Sequence, residues 1–333
     1  MTGCTPVNAA TPSTVKTGCV AMALLAIQYG LQPMIYKKFV GECNNRSLLV
    51  IACEVCKLLL SLLSLRFTGT LRKVVKTWSL HDSIMASGFP ACTYAVQNVL
   101  IQTAYQHLPS FVFNLINQTK LISTALFLYI LVGTRFSMQQ FFAMLLLLSA
   151  AVLLSIAKDG GANDASAIPI KLGLVPVLLA SMLSGLGSAL IQRSMQQTKR
   201  NSALVTMELS VYGSLFLVLP AIWSTINKTP VLESPATNFF INGLEGCNYF
   251  TLIPVMSNAV GGLLVSTVTK YVGGVHKSFA LICGIAFAAF VESYTYGTVL
   301  PDEVFVAAGL VTMSTIIYFK YPYVKWDEKV KKK

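Results

Sequence analysis

The chain has 333 residues, 54% of them hydrophobic and 11% charged, with a formal net charge of +12. About a quarter of the residues in a soluble domain are charged, so this composition excludes one or two soluble domains and indicates a polytopic membrane protein. A positive balance suits nucleic acid only as an exposed patch; here the basic residues fall in short loops and the tail, the pattern of membrane topology, and no nucleic-acid partner is expected.

Residues 1–16 are polar and lack the charged-then-apolar order of a cleaved signal, so they read as a cytosolic tail before an uncleaved anchor. Ten windows of about the length a bilayer requires follow at 17–36, 48–66, 83–106, 109–132, 137–157, 170–192, 203–224, 247–269, 275–297 and 302–320. The expected fold is all-α, with ten transmembrane helices and both termini on one side. Residues 17–157 form a first five-helix half, 158–169 a Gly/Ala/Asp-rich lumenal linker, 170–320 a second half and 321–333 a basic tail. Polar loops are expected at 66–82 and 225–246. With the N-terminus cytosolic, sixteen Lys and Arg lie on the cytosolic side, six on the other and three within spans. That asymmetry orients both termini to the cytosol. The sequons at Asn45 and Asn227 then fall on the lumenal side, as do Cys43 and Cys247, which read as two unpaired thiols with a disulfide between them as the alternative.

In chain order, the second window carries Glu54 and Lys57, three apart and able to form an intrahelical ion pair, with Glu54 also suited to contact a sugar or take up a proton. Cys53 and Cys56 lie beside them with no second pair, so no metal site is expected. The third window holds Tyr94, Gln97 and Asn98, an aromatic ring and two amides that suit a nucleobase or an interhelical hydrogen-bonded cluster. The fourth holds Asn114, Asn117, Gln118 and Lys120. Each unpaired amide is costly in hydrocarbon, so this run should line a wet cavity or glue helices together. The sixth has a small-residue run around Gly185, and the eighth has Gly261 and Gly262, sites of close helix packing. Glu208, in the seventh, has no opposite charge nearby in its own helix; it must find a partner, be protonated or face water. Lys277 stands in the ninth. A lysine at bilayer depth costs roughly 2.5–3.5 kcal/mol on the insertion scale, so Lys120 and Lys277 are expected to face one polar cavity and to suit an anionic cargo, phosphate above all.

Two halves of five spans are related by an inverted-topology repeat if they are homologous, with substrate at the midplane between them. Lys120 and Lys277 are 157 residues apart, and Glu54 and Glu208 are 154 apart, which fits such a repeat. No Walker loop supports ATP-driven pumping, and no extramembrane segment is long enough for a catalytic domain. The chain is therefore expected to be a carrier without cofactor and not an enzyme. A proton-coupled metabolite exporter using Glu54 or Glu208, and a membrane-embedded enzyme of glycan or lipid synthesis, are the alternatives.

Through Glu54–Leu59, Tyr94–Asn98, Gln118–Lys120, Gly261–Val265, Lys270–Tyr271 and Lys277 the chain resembles the nucleotide-sugar transporter family, in its CMP-sialic acid, UDP-galactose and UDP-N-acetylglucosamine branch, over residues 18–320. The resemblance implies ten helices around a central cavity in Golgi or endoplasmic reticulum membrane. It also implies exchange of cytosolic nucleotide sugar for lumenal nucleoside monophosphate. By position, Lys120 and Lys277 would hold phosphate, and Tyr94, Gln97 and Asn98 would contact base or ribose. Phe113, Thr206 and Ser210 occupy base-side positions at which carriers of CMP-sialic acid have tyrosine, asparagine and tyrosine. These departures favour a UDP-sugar over CMP-sialic acid.

Overall fold

A computed structural model describes residues 12–40, 46–108, 113, 116–159, 170–227, 248–297 and 300–323. Asn114, Cys43, Cys247, both sequons as triplets and most of the linker and tail lie outside the described residues. Within them the chain is helical, joined by turns, with no strand: α1 Pro12–Phe39, α2 Arg46–Phe67, α3 Leu71–Thr77, α4 Leu80–Ser83, α5 Phe89–His107, α6 Lys120–Val132, α7 Met138–Asp159, α8 Ile170–Gln196, α9 Ser202–Asn227, α10 Leu252–Tyr271, α11 Gly274–Tyr296 and α12 Asp302–Lys320.

Each expected window holds a helix, and seven described helices are long and apolar enough to cross a membrane. Two others, Lys120–Val132 and Met138–Leu154, are apolar but shorter, and α2 mixes Glu54, Lys57 and Arg66 into its apolar run. Faces turned outward are apolar: Val20, Leu24 and Ile27 of α1, and Val96 and Val99 of α5, are all more than two-fifths exposed. In water such surfaces would drive association; in hydrocarbon they are at rest.

Three expectations are corrected. The window 109–132 is not one continuous helix. The amides of Thr119 and Leu121 reach back only three residues, to Ile116 and Gln118, and α6 begins at Lys120. The stretch 66–82 is not simply a polar loop, because it contains α3, which buries no side chain. The window 83–106 starts earlier, at Leu80, and passes through a π-helical turn, Ile84–Gly88, before α5. Pro90 supplies the reason for that turn. It has no N–H to give the carbonyl four residues back, and the chain widens so that Phe89 N–H bonds Ile84 O instead.

The largest apolar cluster joins α6, α7, α11 and α12, through Leu128, Leu147, Phe279 and Val311 among others. Ser314 of α12 donates to the Ala143 carbonyl of α7 at 2.6 Å, closing that pair without an unsatisfied hydroxyl. Between the halves, α1 packs on α10 and α11 while α8 packs on α5 and α6. Likewise α2 packs on α9 and α10, and α9 packs on α2 and α5. Swapping α1, α2, α5, α6 and α7 for α8, α9, α10, α11 and α12 maps each of these contacts onto another in the set.

Candidate functional site

Both lysines stand in the first turn of their helices: Lys120 opens α6, and Lys277 is the fourth residue of α11. The turn before α11 is fixed by Gly273, whose φ of 107° is open to glycine and strained for other residues. Gln192 of α8 caps it, its Oε1 accepting from Gly274 N–H at 2.6 Å, and Gln196 donates to the Thr269 and Lys270 carbonyls at 3.1 and 3.2 Å. The two ammonium groups are close enough for their charges to act on one another. Both side chains are partly accessible rather than sealed.

Lys277 Nζ donates to Ser188 Oγ of α8 at 3.0 Å, and the same oxygen lies 3.4 Å from the Tyr94 hydroxyl of α5. Gly187 makes room for the ring, since a Cβ there would lie 3.0 Å from it. One turn along α5, Gln97 is half-buried and its Oε1 has no partner, an acceptor with no donor to bind. Asn98, four residues after Tyr94 and so on the same face, is exposed. Asn117 is half-buried in the turn leading to Lys120. Lys277, Ser188 and Tyr94 therefore meet from α11, α8 and α5, with Lys120 of α6 within reach of the Lys277 charge.

Glu54 and Lys57 form the expected pair, Nζ to Oε1 2.8 Å, both mostly buried. The lysine stem runs across Gly262 of α10, whose added Cβ would sit 3.0 Å from Lys57 Cε. Nearby, Gln28 and Gln32 of α1, unmarked in the sequence, ladder onto α10: Gln28 Nε2 donates to Gln32 Oε1 and to the Ser257 carbonyl, Gln32 Nε2 donates to the Pro254 carbonyl, and Ser257 Oγ donates to Gln32 Oε1, all within 2.7–3.1 Å. Gly261 is where the Gln28 amide presses on α10. Gly185 brings α8 against the backbone of Ser123 and Thr124 in α6.

Four expected residues are placed elsewhere than on open cavity surface. Phe113 is 1% exposed within an apolar cluster of Ala104, Leu108 and Val177, with no face left for a base. Thr206 and Ser210 are buried, Thr206 Oγ1 donating to Ser266 Oγ of α10 at 2.6 Å, so they serve the α9–α10 contact. Glu208 finds its partner outside its helix in Arg200, Nη2 to Oε1 2.5 Å, and is occupied by further donors. Ser188, the lysine's partner, was read only as part of a small-residue run.

A sequence model of the nucleotide-sugar transporter family matches residues 14–319. The UDP-N-acetylglucosamine transporter ROCK1 of Arabidopsis thaliana is 39% identical over 93% of this chain and 93% of its own length. The UDP-N-acetylglucosamine transporter of Rattus norvegicus is 26% identical, over 72% of this chain and 74% of its own. The UDP-galactose translocator of Mus musculus is 24% identical, over 90% of this chain and 75% of its own. A crystal structure at 12% identity superposes with a TM-score of 0.65 over 92% of this chain and 96% of that one, and so shares the fold. The family match and the relatives define a multi-pass membrane carrier. The chain belongs to the nucleotide-sugar transporter family.

Proposed function

We propose that the chain is an antiporter that carries a UDP-sugar, UDP-N-acetylglucosamine first among candidates, from cytosol to the lumen of the endoplasmic reticulum or Golgi in exchange for UMP. The supporting observation is that Lys120, opening α6, lies within reach of the charge of Lys277 in the first turn of α11. Their repulsion is relieved by a dianionic phosphate, and both stand at helix N-termini, where backbone N–H groups and the helix dipole also favour an anion. Tyr94, Gln97 and Asn98 take base and ribose; Glu54 and Lys57 face the sugar. The names of the relatives support the UDP-sugar over a CMP-sugar.

Alternating access by a 5+5 inverted repeat with cytosolic termini accounts for the pairing of helices across the halves, in which each contact has its counterpart. It also accounts for the lysines' matching places in the first turns of α6 and α11.

The test is exchange in proteoliposomes. Purified protein loaded with UMP inside should take up labelled UDP-N-acetylglucosamine, and UDP-galactose or CMP-sialic acid should compete less well. Uptake driven by a pH gradient and indifferent to every nucleotide would replace this reading with the proton-coupled exporter.

A further inference from the structure

Glu208 is placed to control access rather than to touch cargo. Thr206 and Ser210, four apart on α9, share one face, and Glu208 midway between them points to the other. There it is 5% exposed. Its Oε1 accepts from Trp78 Nε1 at 3.0 Å and from Arg200 Nη2 at 2.5 Å, and its Oε2 accepts from Ser87 Oγ at 2.6 Å. One turn further along α9, the Tyr212 hydroxyl lies 3.1 Å from Ser83 Oγ, and the Tyr212 ring covers Gly88. Ser83 and Ser87 thus face Tyr212 and Glu208 in register. Trp78, Ser83 and Ser87 belong to the first half, and Arg200, Glu208 and Tyr212 to the second. These side chains join the halves at this end of the bundle, beside the contacts of Gln197 with the Val132 carbonyl and of Ser137 with the Tyr321 carbonyl.

Two features make the contact reversible. The serines flank and enter the π-helical turn Ile84–Gly88, and such turns recur at functional sites. Arg200 engages Glu208 through Nη2, while its Nε is buried with no partner. When Trp78 and Ser87 withdraw, that Nε can take up the freed carboxylate oxygen, giving the side-by-side fork that suits guanidinium and carboxylate. Glu208 therefore stays compensated in both arrangements, whereas a carboxylate left alone in this position would resist opening.

We propose that Trp78, Ser83 and Ser87 closing on Tyr212 and Glu208 form the latch at the end of the bundle where α2 ends and α9 begins, cytosolic in the proposed orientation. Arg200 stays paired with Glu208 while the latch opens. The latch rests on the alternating-access reading, and it names the side chains that must part for nucleotide to enter from this side.

Two measurements test it. In proteoliposomes, Ser83→Cys with Tyr212→Cys is bridged by a short, reducible bifunctional thiol reagent. Bridged protein should lose UMP exchange at least tenfold and regain it on reduction, while unmutated protein treated alike is unaffected. Bridged protein that exchanges at the unbridged rate overturns the latch. The second measurement needs no nucleotide, so it decides even if the cargo is wrong. Modification of Ser83→Cys by an impermeant maleimide, read as mass added to the peptide carrying residue 83 in folded, monodisperse protein, should rise at least fivefold when Glu208→Gln is added. A purely structural Glu208 would reduce the yield of folded protein and leave that labelling unchanged, and unchanged labelling overturns the proposal whatever the extent of bridging.

Discussion

A cation in the first turn of a helix opposes the helix dipole, and a lysine deep in a membrane protein is costly besides. Lys120 and Lys277 incur both penalties, and neither forms an ion pair among the described residues. Such a placement is economical only if an anion is bound for part of the working cycle. Lys120→Ala or Lys277→Ala should therefore remove the thermal stabilisation by UMP and abolish exchange while the protein still folds, since each substitution relieves a local strain. The expected loss is about 2–5 kcal/mol of nucleotide affinity, the range for one partner of a buried charged contact. Ser188→Ala, which takes one hydrogen bond from the Lys277 ammonium, should cost less, about 1.5–3 kcal/mol. Titration of UMP against each purified variant measures the difference, and undiminished UMP binding in Lys277→Ala would remove the site. The lysines were legible in the sequence because their apolar context makes them conspicuous. Ser188 was not, because a serine in a membrane helix is inexpensive: it can bond its own preceding turn, as Ser149 does to the Leu145 carbonyl, so nothing marks the one that turns to a lysine instead. Phe113 carried an expectation that its burial overrides, since the apolar cluster around it supplies more than a base edge would.

At the scale of elements, two close crossings bring the halves' helices together. A Cβ on Gly30 of α1 would lie 2.5 Å from the Gly284 carbonyl of α11, and one on Gly284 would lie 2.6 Å from the Ala26 carbonyl. A Cβ on Gly185 of α8 would lie 2.6 Å from the Ser123 carbonyl carbon in α6. The first crossing is α1 on α11 and the second α8 on α6, counterparts under exchange of the halves, and Gly30 and Gly185 are 155 residues apart, close to the spacing of the lysines. Backbone on the far side cannot yield as a flexible side chain does, so Gly284→Leu should force the helices apart and destabilise the protein by about 1–3 kcal/mol or more. Gly309 of α12 has nothing within 4 Å of its would-be Cβ, and Gly309→Leu should be tolerated or mildly stabilising through helix propensity. Paired melts in one detergent test the contrast, and equal midpoints for the two variants would contradict it. Gly185 was visible because it sits in a run of small residues. Gly30 and Gly284 stand alone in apolar helices, where one glycine has no local signature, and the crossing exists only once two distant helices meet. The break before α6 escaped for a related reason. The polar run from Asn114 to Lys120 interrupts the hydropathy of 109–132, but it does not report that the amides at Thr119 and Leu121 bond only three residues back.

At the scale of the molecule, the proposed alternating access has two sets of five helices meeting around a pair of like charges, and this would set how the carrier moves. Sealing an empty site would hold Lys120 and Lys277 together without an anion and away from water, where their repulsion is least screened. Sealing the same site around a phosphate removes that cost. The loaded carrier should therefore pass through the closed arrangement readily and the empty one slowly. A ligand shifts such an equilibrium only by its difference in affinity between states, and the lysine pair provides that difference through charge alone. On the proposed antiport reading, strict exchange would follow without a separate coupling ion, driven by the outward gradient of nucleoside monophosphate. Uptake of labelled UDP-N-acetylglucosamine should be at least tenfold faster into vesicles loaded with UMP than into empty ones, and a nucleoside without phosphate inside should not substitute. Neutralising one lysine should have a second effect distinct from weaker binding. In Lys120→Gln the empty site loses its repulsion, so whatever uptake remains at saturating nucleotide should depend less on internal UMP. The ratio of loaded to empty uptake, measured for both proteins at matched saturation, separates the two effects. A ratio near one for the unmutated protein would show that the empty carrier returns freely and that the paired charges do not enforce exchange.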